Sequence, residues 1–413
     1  MDFEALDAAD ALAPLRQRYR VPEGVIYLDG NSLGVPAHAA LEAVREAAEG
    51  EWADQLIGAW NGADWIGLPR RLGDRIGRLI GAAPGQTVVA DSISVNLFKL
   101  LAVALALRPG RRTVLSTTEN FPTDLYVAEG LGGLLGGERC RLRTVPLASV
   151  SAESLAGSVD DDVAVVMLTQ VDFRTGARLE LEAITRAVHS RGALVLWDLA
   201  HSAGAFPVEL DLAGADMAVG CGYKFLGGGP GAPAFAYLAE RHHPAAQQPI
   251  TGWMGHARPF DFDPGYAPAP GIDRLLAGTP PILACRALEG ALDVFDEVDL
   301  AAVRAKSVAL GEALIRLVGE SEVAGELELA SPVDPEQRGS QVAFRHAEAW
   351  PLTQALIAEG VVGDFRAPDL LRLGITPLYL RFTDIFDAVV RLEEVLVSGR
   401  HRDRRFSRRA RVT

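Results

Sequence analysis

Short runs of β-branched and aliphatic residues alternate with helix-length segments across the middle of the chain. The predicted strands are Thr87–Ala90, Thr113–Ser116, Leu142–Val145, Val163–Thr169, Ala193–Asp198, Met217–Gly220 and Ala234–Leu238. Between several of them lie the predicted helices Ile93–Leu107, Pro122–Gly130 and Leu181–Arg191. This alternation predicts an α/β fold with a doubly wound, mostly parallel, seven-stranded sheet and helices on both faces. Ligands of such sheets bind at the carboxyl ends of the strands.

The pattern changes after about Asp299, where a long amphipathic segment begins. The later predicted elements are Leu300–Leu317, Glu326–Leu329, Gln341–Arg345, Leu352–Glu359, Leu371–Gly374 and Asp384–Val397. This order predicts a smaller α+β domain over residues 299–398, and the N-terminal segment 1–52 is expected to pack with it. Residues 53–298 then form the large domain, and the basic tail 399–413 is expected to be disordered. The Pro- and Gly-rich stretch 244–281 is too long for a plain connector and is predicted to be functional.

Composition and charge narrow the class of protein. The chain has 413 residues, 49% of them hydrophobic and 23% charged, which is typical of a folded protein. A net charge of −14 argues against nucleic-acid binding. The three cysteines are too widely spaced to indicate a disulfide framework or a metal site. The acidic N-terminus does not resemble a signal peptide, and the longest apolar run is too short to span a bilayer, so a cytoplasmic protein is expected.

Two chemically distinctive residues stand 26 positions apart, each after an apolar strand. Asp198 ends one strand, and Lys224 follows the next within a glycine-rich turn. Lysines are rarely buried unless they are paired or functional. The combination is typical of pyridoxal phosphate enzymes, in which a lysine binds the cofactor covalently and an aspartate partners its pyridinium nitrogen. The alternative is a surface lysine with an aspartate that caps a helix.

Other parts of a pyridoxal phosphate site have candidates as well. Ile93 and Ser94 open a helix after a strand, where backbone N–H groups bind anions, although a plain serine N-cap is the alternative. Phe121 precedes Pro122 at another predicted helix start and is a candidate for stacking on the pyridine ring, or a core residue. Thr169 ends a strand and is a candidate partner for the phenolic oxygen of the cofactor, or an ordinary strand end.

Two neighbours of the lysine and the aspartate are further candidates. His201 is expected to brace Asp198 or contact the ring, with a structural histidine as the alternative. Tyr223 is expected to bind the phosphate or act as an acid, with a packing role as the alternative. The glycine run after Lys224 lacks the order of a dinucleotide-binding loop, and no helical pattern follows it.

Longer strings along the chain carry a family resemblance. They are residues 27–34 (Tyr-Leu-Asp-Gly-Asn-Ser-Leu-Gly), 121–124 (Phe-Pro-Thr-Asp), 198–201 (Asp-Leu-Ala-His), 223–224 (Tyr-Lys), 252–256 (Gly-Trp-Met-Gly-His) and 278–282 (Gly-Thr-Pro-Pro-Ile). With these strings the chain resembles the kynureninase family, pyridoxal phosphate enzymes of the aspartate-aminotransferase fold, nearly from end to end. Thr279 stands where animal enzymes have Asn, and the region around Trp60 replaces their His-containing stretch, so the resemblance is to the bacterial type.

The resemblance also implies site residues. The cofactor contacts it implies are Ile93, Ser94, Phe121, Asp124, Thr169, Asp198, His201, Tyr223 and Lys224, together with Trp253 and Thr279 contributed across a homodimer. It implies substrate contacts from Ser32, Trp60 and Arg372, with Arg372 as a planar bidentate donor to the substrate α-carboxylate. Lys224 and Tyr223 are the implied catalytic residues.

The activity implied by this resemblance is hydrolysis of L-kynurenine to anthranilate and L-alanine in kynurenine catabolism or NAD biosynthesis. The 3-hydroxy form of kynurenine stays open as a second substrate. The first alternative is another reaction on the same cofactor, by a cysteine desulfurase or an aminotransferase. A desulfurase needs a mobile cysteine after the lysine, and Cys285 follows an apolar run that suits this role poorly. The second alternative is a cofactor-dependent regulator, favoured only by the basic tail.

Overall fold

The computed structural model describes residues 2–409, and its strands fall into three sheets. In chain order they are β1 (Ile26–Tyr27), β2 (Thr87–Val89), β3 (Thr113–Thr117), β4 (Arg141–Val145), β5 (Val163–Thr169), β6 (Leu194–Asp198), β7 (Met217–Cys221), β8 (Ala234–Leu238), β9 (Glu328–Leu329), β10 (Gln341–Arg345), β11 (Val361–Val362), β12 (Asp364–Arg366) and β13 (Leu370–Gly374).

The central sheet has the order β2-β8-β7-β6-β5-β3-β4. Neighbours from β7 to β4 run parallel, whereas β8 is antiparallel to both β7 and β2. Each predicted strand of the α/β region is present, and each bound lies within one residue of its prediction. The predicted doubly wound, mostly parallel, seven-stranded sheet is therefore confirmed.

Helices enclose this sheet and build the second unit. They are α1 (Phe3–Ala8), α2 (His38–Glu46), α3 (Ala53–Gln55), α4 (Ala59–Gly62), α5 (Leu68–Leu79), α6 (Ile93–Leu107), α7 (Pro122–Leu135), α8 (Ala152–Ser158), α9 (Leu181–His189), α10 (Ile282–Leu292), α11 (Leu300–Glu320), α12 (Ala349–Ala358), α13 (Phe382–Val397) and α14 (Arg404–Ser407). In the part of the chain that is described, no helix combines the length and apolar composition needed to cross a membrane.

Side chains alternate between the two faces of the central sheet along each buried strand, so the apolar core has two parts, one on each face. On β6, Val195 and Trp197 belong to one apolar cluster, while Leu194 and Leu196 belong to the other. Successive side chains of a strand point to opposite faces, so each face of this strand receives apolar residues. All five residues of β6 are buried, as expected for a central parallel strand covered by helices on both sides.

The C-terminal region forms an antiparallel sheet with the order β12-β13-β10-β9, accompanied by α11, α12 and α13. The start of the chain joins this unit, because β1 pairs in parallel with β11 and the Asp7 carboxylate accepts hydrogen bonds from the backbone N–H groups of Phe382 and Thr383. Helix α2 instead packs on α10, next to the central sheet. The exact division at residues 52 and 298 stays a prediction.

The basic tail differs from its prediction over the residues that are described. A 3₁₀ turn, Arg400–Arg402, follows α13 and leads into the short helix α14. His401 is fully buried and Phe406 is nearly so, and both lie next to α12. Disorder was expected from the charge of this segment, and that expectation is wrong for residues 399–409 because two buried rings anchor them. Residues 410–413 lie outside the described range.

Asp216 connects several elements at the amino end of β7, the end opposite the candidate site. Its buried carboxylate accepts hydrogen bonds from the Val195 backbone (2.9 Å) and from Arg241 (2.7 Å), and it pairs with His189 (2.6 Å) and His242 (2.7 Å). Although burial opposes the charge, the hydrogen bonds from the two histidines hold the pKa of this carboxyl well below its usual range. The pairing therefore stabilises the fold in the charged form of the acid.

We expect Asp216→Asn to reduce the free energy of unfolding by about 3 kcal/mol at pH 7, because it removes one partner of a buried charged network. Because the pKa of Asp216 is depressed in the folded protein, its network contributes fully to stability above the ordinary carboxyl pKa. This stabilisation declines as the pH falls below about 4. Urea unfolding of both proteins at pH 7 and pH 3 measures the difference. The exposed Asp54→Asn is the control, and an equal loss at both pH values would contradict the prediction.

Candidate active site

A cavity of about 230 Å³ opens at the carboxyl ends of β5, β6 and β7. The residues around it come from strand ends, the turns after them and the first residues of α6 and α7. Its lining includes Ser92, Ile93, Ser94, Phe121, Thr123, Asp124, Thr169, Phe173, Asp198, Ala200, His201, Cys221, Tyr223 and Lys224. The structure thus brings together nine of the residues predicted from the sequence, at the sheet edge where a ligand was expected.

Two carboxylates face each other within this cavity. Asp198, at the end of β6, accepts a hydrogen bond from the Ala200 backbone N–H (2.7 Å). Asp124 lies on the first turn of α7, and neither of its carboxylate oxygens accepts a hydrogen bond from any residue of the described range. Burial, followed by the charge of Asp198, raises the pKa of Asp124 well above its usual range. Burial also raises the pKa of Asp198, while the Lys224 amine opposes that increase.

The Lys224 amine lies over the ring of Phe121, 5.9 Å from its centroid, and 3.0 Å from Nε2 of His201. Burial lowers the pKa of the amine below its ordinary value. It also lowers the pKa of His201 well below the usual histidine value, with Lys224 as the next cause. A buried amine of lowered pKa beside a neutral imidazole is suited to proton transfer and to attack on a carbonyl.

Tyr223 and the start of α6 complete the wall of the cavity. Burial, with the nearby Cys221 and Asp198, raises the pKa of Tyr223 far above its ordinary value, so its hydroxyl keeps its proton. The side chain of Ser92 accepts a hydrogen bond from the Val95 backbone N–H (3.4 Å), which makes Ser92 the N-cap of α6. The N-terminus of this 15-residue helix therefore meets the cavity at Ile93 and Ser94, where an anion is stabilised.

These features fit pyridoxal phosphate. Asp198 lines the cavity with the unpartnered oxygens of Asp124 beside it, so this pair of carboxyls offers an acceptor for a protonated pyridine nitrogen. The helix N-terminus at Ile93 suits a phosphate, and the exposed Phe121 offers a ring face near the amine. A carboxylate, an anion site and an amine are the three groups this cofactor requires.

Arg372 lies on β13 and is almost completely buried. It pairs with Asp364 through Nε (2.8 Å) and Nη2, donates to Ser32 Oγ through Nη2 (2.9 Å), and donates to the backbone oxygen of Phe173 through Nη1. Four of its five N–H groups are therefore engaged, which differs from the expectation of a free bidentate donor. Since Phe173 lines the cavity, Arg372 lies directly behind the cavity wall.

Three predicted residues lie away from this cavity. Trp60 and Trp253 stand with their ring centroids 6.4 Å apart in a separate aromatic depression that also includes Ile57, Phe260 and Phe262. Thr279 is exposed. Phe262 is 75% exposed and Ile57 is 81% exposed, so this apolar surface is open to solvent within a single chain.

Sequence reasoning missed several residues that contact the predicted ones. Asn120 accepts a hydrogen bond from the Thr169 hydroxyl, and Gln341 contacts His201 at 3.1 Å. Asp364 and Arg366 form an ion pair of 2.7 Å beside Arg372. Gln341 and Asp364 each begin a short strand of the second unit and are buried, but their burial is visible only in the structure.

The fold and the site together define a pyridoxal phosphate-dependent enzyme. Among solved structures, the chain is similar to a cysteine desulfurase from Thermococcus onnurineus NA1 (TM-score 0.77, 17% identity, 94% of this chain and 98% of that chain). It is also similar to the C-DES protein with glycine covalently linked to the PLP cofactor (TM-score 0.79, 17% identity, 92% and 99%). At this identity the likeness establishes the fold, which agrees with the sheet predicted from the sequence.

Relatives of higher identity establish the family. Kynureninase from Burkholderia pseudomallei (strain K96243) is 49% identical over 99% of this chain and 98% of its own length. Kynureninase from Pseudomonas fluorescens is 49% identical over 96% of this chain and 95% of its own length. A family model described as the kynureninase C-terminal domain matches residues 303–392. The chain belongs to the kynureninase family.

The chain has three lysines, and only Lys224 faces the cavity. Lys99 pairs with Asp91, and Lys306 pairs with Asp10 (2.6 Å), both as buried side chains. We therefore expect borohydride reduction of the cofactor-loaded protein to attach the cofactor to Lys224 and to no other lysine. Peptide mass spectrometry locates the label, and Lys224→Arg is the control that should lose it. Labelling of Lys99 or Lys306 would contradict the assignment.

Proposed function

We propose that this chain hydrolyses the Cβ–Cγ bond of L-kynurenine, producing anthranilate and L-alanine with pyridoxal phosphate as its cofactor. Membership of the kynureninase family supports the substrate. The observation that carries the proposal is the cavity at the sheet edge, in which the buried Lys224 amine lies with Asp124 and Asp198. The 3-hydroxy form of kynurenine is a second candidate substrate.

The desulfurase alternative is not favoured by the surroundings of Cys285. This cysteine is fully buried within α10, and burial raises the pKa of its thiol to about 12. A catalytic cysteine requires an accessible thiol with a lowered pKa, because the thiolate is the nucleophile. Neither condition is met at this position.

The cofactor supplies an electron sink for the carbanion character that develops on the substrate when bonds at Cα and Cβ break. Lys224 would hold the cofactor, and its amine would take the proton from substrate Cα. Its lowered pKa favours this role, since a neutral amine is required to accept a proton. Asp198 would partner the protonated pyridine nitrogen, with Asp124 beside it.

Further residues orient the cofactor in this proposal. Ile93 and Ser94 would hold the phosphate at the N-terminus of α6, and Tyr223 would also contact it. Phe121 would stack on the ring, Thr169 would contact the phenolic oxygen, and His201 would contact the pyridine side. Tyr223 also serves as the acid that delivers a proton to substrate Cβ, a role consistent with the raised pKa of its hydroxyl.

The substrate α-carboxylate is bound by Arg372, with Ser32 at its side. Arg372 has one N–H group left to donate to the carboxylate, and Arg366 adds a second positive charge nearby. Nη2 of Arg366 lies 3.3 Å from the Ser32 oxygen that also accepts from Arg372. Asp364 holds both guanidinium groups in place. Asp29 also belongs to this cluster, and burial followed by the charge of Asp364 raises its pKa to about 7. With Asp29 protonated, the two cations and the Asp364 carboxylate leave a net positive charge for an anionic substrate group.

Trp60, Trp253 and Thr279 act across a homodimer in this proposal. The exposed aromatic depression around Trp60 and Trp253 meets a second copy of the chain, which brings Trp253 and Thr279 to the partner's cofactor and Trp60 to the substrate ring. The 75% exposure of Phe262 supports an interface, since exposed apolar clusters mark interaction sites. We place this enzyme in the cytoplasm, in kynurenine catabolism or NAD biosynthesis.

Replacing Lys224 by Ala should abolish turnover, with kcat at least about 1,000-fold lower, because both the covalent attachment of the cofactor and the Cα base are lost. Fluorescence of released anthranilate measures turnover, and the visible spectrum reports loss of the lysine-bound cofactor. Lys306→Ala is unsuitable as a control because it breaks a buried ion pair, so Arg345→Lys serves instead. Retained turnover in Lys224→Ala would refute the proposed function.

Arg372→Lys should raise KM for kynurenine about 10- to 100-fold, because an ammonium group cannot replace the planar guanidinium that joins Asp364, Ser32 and the substrate. The matched control is Arg345→Lys, an arginine on β10 whose pair with Asp369 lies near the surface. Steady-state kinetics with anthranilate detection measures both variants. An unchanged KM for Arg372→Lys would show that Arg372 does not bind the substrate.

A further inference from the structure

A series of side-chain hydrogen bonds leads from the second unit of the structure to the catalytic amine. Lys224 Nζ lies 3.0 Å from His201 Nε2, and His201 Nδ1 lies 3.1 Å from Gln341 Oε1. The same Gln341 oxygen accepts a hydrogen bond from Asn31 Nδ2 at 3.1 Å. Asn31, His201 and Gln341 are each at most 3% exposed, so water does not compete for these positions.

The orientation of the Gln341 amide follows from its other neighbours. Its nitrogen donates to the backbone oxygens of Asp172 (3.4 Å) and Phe173 (3.3 Å), which accept hydrogen bonds and cannot donate. A rotated amide would place its oxygen against these two carbonyls. The Oε1 atom must therefore face His201 and Asn31, and an amide oxygen has no hydrogen to give.

Close packing restricts the movement of both amides. A side chain at Gly176, where φ is +75°, would place its Cβ 2.7 Å from Cγ of Gln341. A Cβ at Gly374 would overlap the side chain of Asn31. Both glycines therefore allow the close approach that holds Gln341 and Asn31 against the histidine.

We propose that Gln341 is a positioning residue, which fixes His201 as the tautomer with hydrogen on Nδ1 so that Nε2 accepts a hydrogen bond from the Lys224 amine. Because Oε1 of Gln341 only accepts, Nδ1 must donate, and the lone pair of a neutral ring is then on Nε2. Burial and the cations Lys224, Arg372 and Arg366 lower the pKa of His201 and keep the ring neutral.

The consequence for the reaction rests on the proposed function. One N–H of Lys224 is held by His201, which limits rotation of the amine while it takes the Cα proton. Placement errors of about 1 Å at a reacting group reduce rates by as much as about 100-fold. Gln341 thus acts on the proton transfer through His201 without touching the substrate.

The tautomer is tested on the parent holoenzyme by neutron crystallography after exchange into D₂O. We expect a deuteron on His201 Nδ1 directed at Gln341 Oε1, and none on Nε2. A deuteron on Nε2 with Nδ1 bare, or a Gln341 amide with its nitrogen facing His201, overturns the proposal. This measurement requires neither turnover nor a variant, so it stands whether or not kynurenine is the substrate.

The positioning role is tested with Gln341→Met, which keeps the length of the side chain and removes the acceptor. We expect kcat to fall about 10- to 100-fold with KM changed less than about threefold, and the isotope effect from Cα-deuterated kynurenine to increase. Gln354→Met, a half-buried glutamine in α12, is the control and should match the parent. A loss of kcat without a larger isotope effect, or an unchanged kcat, overturns the proposal. Absence of turnover in the parent instead refutes the proposed function.

Discussion

The burial of three ionisable groups in one cavity is the constraint on which the site depends. Asp124 and Asp198 are both buried beside the Lys224 amine. Each of these groups is costly to bury in its charged form. The Lys224 amine offsets part of that cost for Asp198, whereas the charge of Asp198 adds to the cost for Asp124. The order of the central sheet makes this possible, because the parallel strands β3, β5, β6 and β7 end at the same edge. Thr169 and Asp198 end their strands at that edge, while Asp124 and Lys224 follow the ends of β3 and β7.

The start of the chain determines how firmly the lysine is held. The backbone N–H of Gly34 donates to the backbone oxygen of Tyr223 at 2.8 Å, and a side chain at Gly34 would overlap the Lys224 carbonyl. Ser32, two residues earlier, bonds to Arg372 and Asp364 of the second unit. The segment from Asn31 to Gly34 therefore connects the amine with the carboxylate-binding cluster. This position gives a physical reason for the distinctive Asn-Ser-Leu-Gly string.

The central sheet was predictable from the sequence, whereas the contacts between the two units were not. Buried parallel strands appear as continuous apolar runs, so Val163–Thr169 is found with its exact bounds. Lys224 and Asp198 were also predictable, because a charged residue at the end of such a run is conspicuous. Asp364 and Gln341 gave no comparable signal, since their partners Arg372, Ser32 and His201 are chosen by long-range packing. The folded tail was missed because charge dominates its composition, although Phe406 and His401 anchor it.

The bond between Ser32 and Arg372 joins residues that stand 340 positions apart. Gln341 likewise meets His201 across 140 positions. Contacts between residues so far apart in sequence form late in folding, because the entropy cost of closing the long loop comes before the contacts stabilise the fold. A nascent chain on the ribosome contains the lysine long before it contains Gln341 or Arg372, and domains made first usually fold first. The amine would therefore gain its complete surroundings only near the end of translation, so that the assembly of a reactive site coincides with completion of the whole chain.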